Sequence, residues 1–493
     1  MELPHRRGAG LRRAARGRPG AVALACALYL AAGLLALSPA LRHAGSELLG
    51  YGIPRENAVT PGDHLQSAYN LWLPGHQLAR GGAPWTDPYS FQPVAPERTN
   101  FPGWPFAVVF GPLHALLGTV GAWNAFLVLT YVGAGGFAAL WLRSLGLPAA
   151  AALAGGLAFA LAPYRSIQTS GGHLLGPISM LLPLALYAVE TRRTWLATAA
   201  LASIPLSGQV HLALGAIPFF AAYAAVRGAT GRAALVLAPA GAVAAGVLVW
   251  TVSLRGAAGT ERAFAEVARY SAEPLDFLAR HSRHGFETFV FLGWLLPVLA
   301  LAGAAVLWRR ERALAAVLAA GVAVPVLFAL GANTPLYRPL WELLPGLGQT
   351  RVPGRLLPIA VLALAALAAF ALARMRWQWA AVVAIPLLAL DLRVDVYRPL
   401  GADERNPLYA ELREREPGPL LERPVHDPET FEGSVYLYYA IQAQRERPLA
   451  YSTTPPPEAL EALRRIRDGD AREVGVRWIV EFEDGRPARL RAP

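Results

Sequence analysis

Long apolar runs broken by short charged stretches dominate the first 390 residues or so of the chain. A helix rises about 1.5 Å per residue and a hydrocarbon core is about 30 Å thick, so about 20 consecutive apolar residues predict a membrane-spanning helix. Gly20 to Ala40 is the first such run. Gly121 to Leu142, Ala149 to Pro163, Leu174 to Val189, Trp195 to Leu206, Val210 to Val226 and Ala233 to Leu254 follow. Phe286 to Trp308, Ala313 to Gly331, Leu356 to Ala373 and Trp377 to Leu390 bring the total to eleven predicted spans. Several are short and hold Pro or Gly, which membrane helices tolerate when neighbours satisfy the backbone. Trp104 to Gly118 is apolar but short, and reads as a re-entrant or surface-lying helix.

That reading of Trp104 to Gly118 follows from charge. With it outside the count of spans, Arg143, Arg192, Arg193, Arg227, Arg232, Arg309, Arg310, Arg312, Arg374 and Arg376 share one side with the N-terminal cluster Arg6, Arg7, Arg12, Arg13, Arg16 and Arg18. The positive-inside rule makes that side cytoplasmic. The polar pieces then sort into a basic cytoplasmic tail (1–19), a transmembrane domain (20–391) with outer loops 41–103, 255–285 and 332–355, and an extracytoplasmic tail (392–493). The 21-residue first run is longer than the 7–15 residues usual for a signal-peptide core and reads as an uncleaved anchor. The tail is charged and Pro-punctuated. Strand-like runs Ser434 to Tyr439 and Val476 to Phe482 flank a helical stretch, Glu458 to Arg467, predicting a small α/β domain. The fold class is thus an all-α polytopic membrane protein with a long first outer loop carrying surface helices and a C-terminal α/β domain.

Composition agrees: 54% of residues are hydrophobic and 16% charged, against roughly 25% charged in soluble domains. The single cysteine, Cys26, excludes an intramolecular disulfide framework or a Cys-rich metal module. All 45 basic residues are arginine, and the net charge is +11. The segments assigned to the cytoplasm hold 16 of those arginines against 3 acids, so the excess is an orientation signal and gives no case for a nucleic-acid partner. Any anion site on the outer side must come from a few placed arginines.

The first outer loop is long enough to be functional. Asp63 opens an amphipathic stretch in which Leu65, Tyr69, Trp72 and Leu73 recur at helical spacing. It is either an N-cap or a carboxylate aimed into an outer cavity, able to take a proton from an acceptor hydroxyl or to bind a hard divalent cation. His64 beside it is a further base or ligand candidate, although neighbouring helix positions point about 100° apart. Asp87, in Trp-Thr-Asp-Pro-Tyr, reads chiefly as a turn initiator. Arg351 and Arg355 flank Val-Pro-Gly at a helix entrance and are the first choice for an anionic leaving group, because a guanidinium binds two phosphate oxygens at once. Arg165, with Tyr164 and Gln168, is a second candidate, and His173 a donor to sugar or phosphate. In the second outer loop Glu261, Arg262, Glu266, Arg269, Glu273 and Asp276 read as a solvated, ion-paired helix, with Glu273 or Asp276 as a possible cover of the site. His281 and His284 lack a third ligand in the sequence pattern. There is no P-loop, nucleophile elbow or zinc signature.

The order of a basic start, one helix, an outer loop with an early Asp, Gly-Gly-Ala-Pro-Trp-Thr-Asp-Pro-Tyr (81–89) and an apolar Pro-rich helix (101–118) resembles the GT-C superfamily of membrane glycosyltransferases. Ala-Pro-Tyr-Arg-Ser-Ile-Gln-Thr-Ser-Gly-Gly-His-Leu-Leu (162–175) and Pro-Gly-Leu-Gly-Gln-Thr-Arg-Val-Pro-Gly-Arg-Leu-Leu (345–357) resemble motifs of the bacterial group related to YfhO-type membrane proteins. The resemblance implies transfer of a hexosyl or pentosyl group from a polyprenyl-phosphate donor, with inversion, to a glycan, lipid or protein acceptor at the outer face of the bacterial plasma membrane. It maps the family's first-loop acid onto Asp63, there to activate the acceptor or hold Mg or Mn. Many members carry a second acid beside it; this chain has His64, which puts the metal in question. Two other readings remain: a lipid or polysaccharide transporter or flippase, disfavoured by spans almost free of central charge and by the absence of internal repeats, and an inactive GT-C-like assembly protein.

Overall fold

The computed structural model describes residues 19–493 apart from 57, 96–97, 259–262, 283–284, 345, 376–378 and 470. The basic N-terminal cluster, Glu261, Arg262, His284 and Arg376 lie outside the described residues. The helices are α1 (Pro19–Leu37), α2 (Asp63–Ala79), α3 (Ala107–Ser144), α4 (Ala149–Ala160), α5 (Pro163–Ser170), α6 (Leu175–Ile178), α7 (Leu181–Glu190), α8 (Thr194–Leu206), α9 (Val210–Val226) and α10 (Thr230–Ala258). Then come α11 (Phe264–Arg269), α12 (Leu295–Trp308), α13 (Arg312–Ala329), α14 (Tyr337–Leu343), α15 (Leu357–Leu372), α16 (Ala380–Leu392), α17 (Pro407–Glu414), α18 (Ser434–Gln442) and α19 (Pro457–Arg467).

Each apolar run carries helix, but among the described residues only five helices are long and apolar enough to cross a membrane, or six if the pair α4–α5, bent by 43°, is one span. The count of eleven therefore does not follow from helix length: α7, α8, α9, α12 and α16 fall short of a full crossing. The run from Phe286 becomes α-helical only at Leu295, and Leu174 to Val189 is split into α6 and α7. The segment Trp104 to Gly118 is helical from Ala107 and joins the following run, with a break at Gly118 (φ 72°) where Glu404 accepts hydrogen bonds from the Thr119 and Val120 amides.

Helix α15 is the centre of the bundle. It is buried along nearly its whole length, whereas most of the apolar side chains of α10 lie on the outside. An exposed apolar helix of that length is stable only in lipid. Helices α12, α13 and α4 pack on α15. At Gly303 the α12 backbone comes so close that an added Cβ would sit 1.7 Å from the Leu367 carbonyl oxygen. Gly303→Ala should therefore destabilise the bundle by about 1–3 kcal/mol through overpacking, read as a lower unfolding midpoint in detergent; an unchanged midpoint would show that the helices separate freely.

Three small sheets follow. Strand β1 (Leu48–Gly50) pairs antiparallel with β4 (Arg398–Leu400), and β2 (Thr86–Asp87) with β3 (Arg98–Thr99). Strand β5 (Leu420–Arg423) runs parallel to β6 (Trp478–Glu483), which pairs antiparallel with β7 (Arg486–Arg491). The strand expected near Val476 and the helix near Glu458 are present. The strand expected at Ser434 to Tyr439 is instead the start of helix α18, buried from Ser434 to Ile441. Its Val and Tyr content favours strand locally, but packing on α2 buries it all round, and tertiary burial overrides so short a preference. Through β1–β4 and α18–α2 the tail shares its apolar core with the helical bundle, and a smaller cluster around Leu463 and Ile479 lies under α19.

Candidate active site

Helix α2 begins at Asp63, where a carboxylate suits the positive end of the helix dipole. Its apolar face, including Leu65, Ala68, Tyr69 and Trp72, is buried. Asp63, Gln66, Ser67 and Asn70, at helical spacing, form a polar stripe along a cavity of about 580 Å³. The loop after α5 docks on the start of this helix. Gly172 (φ 83°) permits it, because a Cβ there would lie 2.2 Å from the His64 amide nitrogen, and its carbonyl accepts from the Ser67 hydroxyl at 2.6 Å.

This docking sets His173 beside Asp63, Nε2 to Oδ2 2.8 Å. The other carboxylate oxygen accepts from the Tyr451 hydroxyl at 2.7 Å. His173 Nδ1 lies 2.8 Å from Gln168 Oε1 and 3.8 Å from Glu287 Oε1. Glu287 in turn accepts from Arg355 at 2.6 Å. The result is a chain of Tyr451, Asp63, His173, Glu287 and Arg355 at one end of the bundle. Burial pushes the Asp63 carboxyl up, but the His173 and Tyr451 hydrogen bonds and the Arg355 charge outweigh it and hold it below the usual carboxylate range. Glu287 behaves alike: burial raises it, and Arg355, His173 and Arg351 outweigh the burial and hold it below the usual carboxylate range.

The cavity brings together Asp63, Asp87, His173, Arg351 and Arg355 from the sequence-predicted set. Arg351 lies over the Tyr270 ring, 5.7 Å from its centroid. Among the described residues no carboxylate comes within ion-pairing distance of it, whereas Arg355 is neutralised by Glu287. Asp87 accepts from the Tyr69 hydroxyl at 2.7 Å and the Tyr89 and Ser90 amides at 3.0 and 3.1 Å, so it orders its turn as well as touching the cavity.

Several candidates lie elsewhere. His64 does not line the cavity; it is buried against Trp123, and burial, opposed only in part by the Asp63 charge, takes its pKa down to about 4, leaving it neutral at pH 7. Its helical neighbour position turns it away from Asp63. Arg165 is fully buried, donating to the Gly176 and Ala160 carbonyls and the Ser179 hydroxyl at 3.2, 2.7 and 2.9 Å, so it braces the bend between α5, α6 and α4. Tyr164 is buried behind Gly354, and Gln168 acts at one remove, as the partner of His173 and Glu287. Asp276 is buried in a capping box with Glu273, its carboxylate accepting from the Glu273 amide at 2.8 Å, and does not cover the cavity. Sequence reasoning missed Glu287 and Tyr451. A carboxylate at the head of an apolar run was a usable signal for Glu287; nothing local marked Tyr451.

A divalent cation fits poorly here. Both Asp63 oxygens have protein donors, Glu287 is paired with Arg355, and among the described residues no group of three His, Cys, Asp or Glu side chains is placed to hold a metal.

A second cavity, of about 640 Å³ and lined almost wholly by apolar residues, lies between α9, α13 and the start of α15. It shares His211, Val352 and Arg355 with the first.

No protein-family model matches the chain, and no curated protein resembles it in sequence. The likeness lies in structure. The oligosaccharyltransferase of Archaeoglobus fulgidus, in complex with Zn and sulfate, aligns at TM-score 0.46 and 12% identity, over 94% of this chain and 67% of that one. The arabinofuranosyltransferase AftD from Mycobacteria aligns at TM-score 0.53 and 18% identity, over 95% of this chain but 36% of that much longer one. In fold, this chain is similar to a part of that arabinofuranosyltransferase.

Proposed function

We propose that this chain is a membrane glycosyltransferase that moves a sugar from a polyprenyl-phosphate donor to an acceptor at the outer face of the plasma membrane. One observation carries the reading: the polar cavity holding Asp63 and the apolar groove between α9 and α13 meet at Arg355 and Val352. A donor with a long apolar tail, a phosphate and a polar sugar has the same sequence of surfaces. The tail lies along Phe219, Val317 and Phe328, the phosphate meets Arg351 and Arg355, and the sugar faces Asp63.

In the reaction an acceptor hydroxyl attacks the anomeric carbon, its proton passes to the Asp63 carboxylate, and the bond from that carbon to the phosphate oxygen breaks with both electrons leaving on the phosphate. Arg351, without a carboxylate partner among the described residues, is the main counter-charge for the leaving group. Of the other carboxylates that line the cavity, Asp87 is held by the Tyr69 hydroxyl and the amides of its own turn, and Glu429 is an exposed residue of the tail; neither is given the role of nucleophile, and the reaction is read as direct displacement with inversion. No step is assigned to a metal.

The division of these groups between two sides agrees with their contacts. Glu190, Arg227 and Glu311, all in segments expected on the cytoplasmic side, pair at 2.6 and 2.9 Å. Asp63, His173, Arg351 and Arg355, all assigned outside, converge around the cavity.

Purified protein in lipid discs should transfer label from some polyprenyl-phosphate sugar to an acceptor glycan, lipid or peptide. Movement of a lipid across a bilayer without any such transfer would favour the transporter reading. Within this scheme Ala320→Trp, which fills the groove, should raise KM about 10-fold for a long-chain donor while leaving a short-chain analogue nearly unchanged, since each buried methylene contributes about 0.8 kcal/mol. Equal effects on both donors would remove the groove from donor binding.

A further inference from the structure

The Asp63 carboxylate is held by a residue 388 positions away, in the C-terminal tail. Tyr451 reaches it from a segment pinned on several sides. Gln66 of α2 donates to the Tyr451 carbonyl at 3.2 Å, the Ser452 amide donates to the Pro428 carbonyl at 2.8 Å, and the Tyr451 ring lies 5.9 Å from that of Phe431. Helix α18 of the tail is itself seated on α2, and its Ser434 hydroxyl accepts from the Gly62 amide at 2.9 Å, directly before Asp63.

An ionised carboxylate has about four acceptor positions on its two oxygens. His173 takes one on Oδ2 and Tyr451 one on Oδ1, from opposite sides of the group. Two such bonds suppress rotation about the terminal torsion, which is otherwise broad for Asp. They leave acceptor positions on a carboxylate that lines the cavity. We propose that Tyr451 is a positioning residue: its hydroxyl, donating to the Asp63 carboxylate, fixes the orientation of that base, so that the C-terminal tail is a working part of the site. This rests on the transferase reading above for its consequence, but not for its geometry.

The charged and titratable groups facing Asp63 are His64 on its own helix, His173 from the loop after α5, Arg355 from the turn before α15, and Tyr451; Arg351 and Glu429 line the same cavity and act on the Tyr451 hydroxyl. Removing the Tyr451 hydroxyl deletes a donor to the charged form and leaves the burial that opposes ionisation. The Asp63 carboxyl must therefore rise.

Tyr451→Phe in the full-length protein in lipid discs tests this. The ring and its packing stay, so the unfolding midpoint should hardly move. Two readouts follow: the pH dependence of transfer, and the pH at which Asp63 becomes half-reactive to a carbodiimide, scored by peptide mass spectrometry, which needs no turnover. The expected result is an upward shift of about one pH unit in both, with kcat down about tenfold at neutral pH and donor KM unchanged. An unshifted carbodiimide profile overturns the proposal even if transfer proceeds. A shifted profile in a wild-type protein that transfers nothing keeps the Tyr451 assignment and sinks the transferase reading instead.

Discussion

Asp63→Asn should lower sugar transfer by roughly 10²–10⁴-fold, the range a positioned general base contributes, while the protein inserts and unfolds as the wild type does. Asparagine keeps the side chain's size and a carbonyl oxygen for the Tyr451 hydroxyl, so little at the start of α2 need rearrange. What it loses is the ability to take a proton. The wild-type carboxyl is held below its usual range, so the base is present above that pKa and is lost only as pH falls through it. From roughly pH 5 upward Asp63 should impose no pH dependence on the rate, because an ordinary Asp already titrates near 3.9. Transfer rates of the two proteins between pH 4 and 8 would check both statements. Retained turnover in Asp63→Asn would take this carboxylate out of the chemistry and return the assembly-protein reading to first place.

Arg355→Leu should destabilise the protein by about 3 kcal/mol, the low end of the roughly 3–5 kcal/mol that breaking a buried ion pair costs. The low end applies because the Arg355 side chain keeps 15% exposure toward the cavity, against 9% for Glu287. The loss arises from Glu287, left charged and buried between Gln168 and His173 with its strongest counter-charge gone. Arg355→Leu with Glu287→Leu should recover most of the stability, since the orphaned charge is removed with its partner. It should not recover transfer, because Arg355 also stands where the two cavities meet. Unfolding midpoints of the single and double variants, with transfer rates beside them, separate the two roles. A single variant as stable as wild type would mean that Glu287 finds another counter-charge, from His173 at 3.8 Å or from Arg351.

The overlap of structural and functional duty at Arg355 is the reason Arg351 is proposed as the main phosphate ligand. Both were legible from the sequence as a pair flanking Val-Pro-Gly. Their inequality was not, because Glu287, 68 positions away from Arg355, decides which cation is already neutralised. Arg165 shows the converse. Its Pro-Tyr-Arg context at a helix start suggested an anion site, yet the side chain turns inward and spends its donors on backbone carbonyls and Ser179. His64 is a plainer case, since an adjacent position on a helix already pointed it away from Asp63, and the burial of α2 against Trp123 completed its exclusion.

By itself the sequence determined the membrane-type apolar character of the chain, the helical course of its apolar runs and the start of α2 at Asp63. These follow from local quantities: run length, helical period and a carboxylate at a helix start. The tertiary structure alone decided which polar groups meet. His173 reaches Asp63 across 110 positions and Tyr451 across 388, and neither contact leaves a periodic or compositional trace. A hydrogen bond needs partners within about 3 Å. Only the docking of the Gly172 loop and of the tail onto α2 brings them that close.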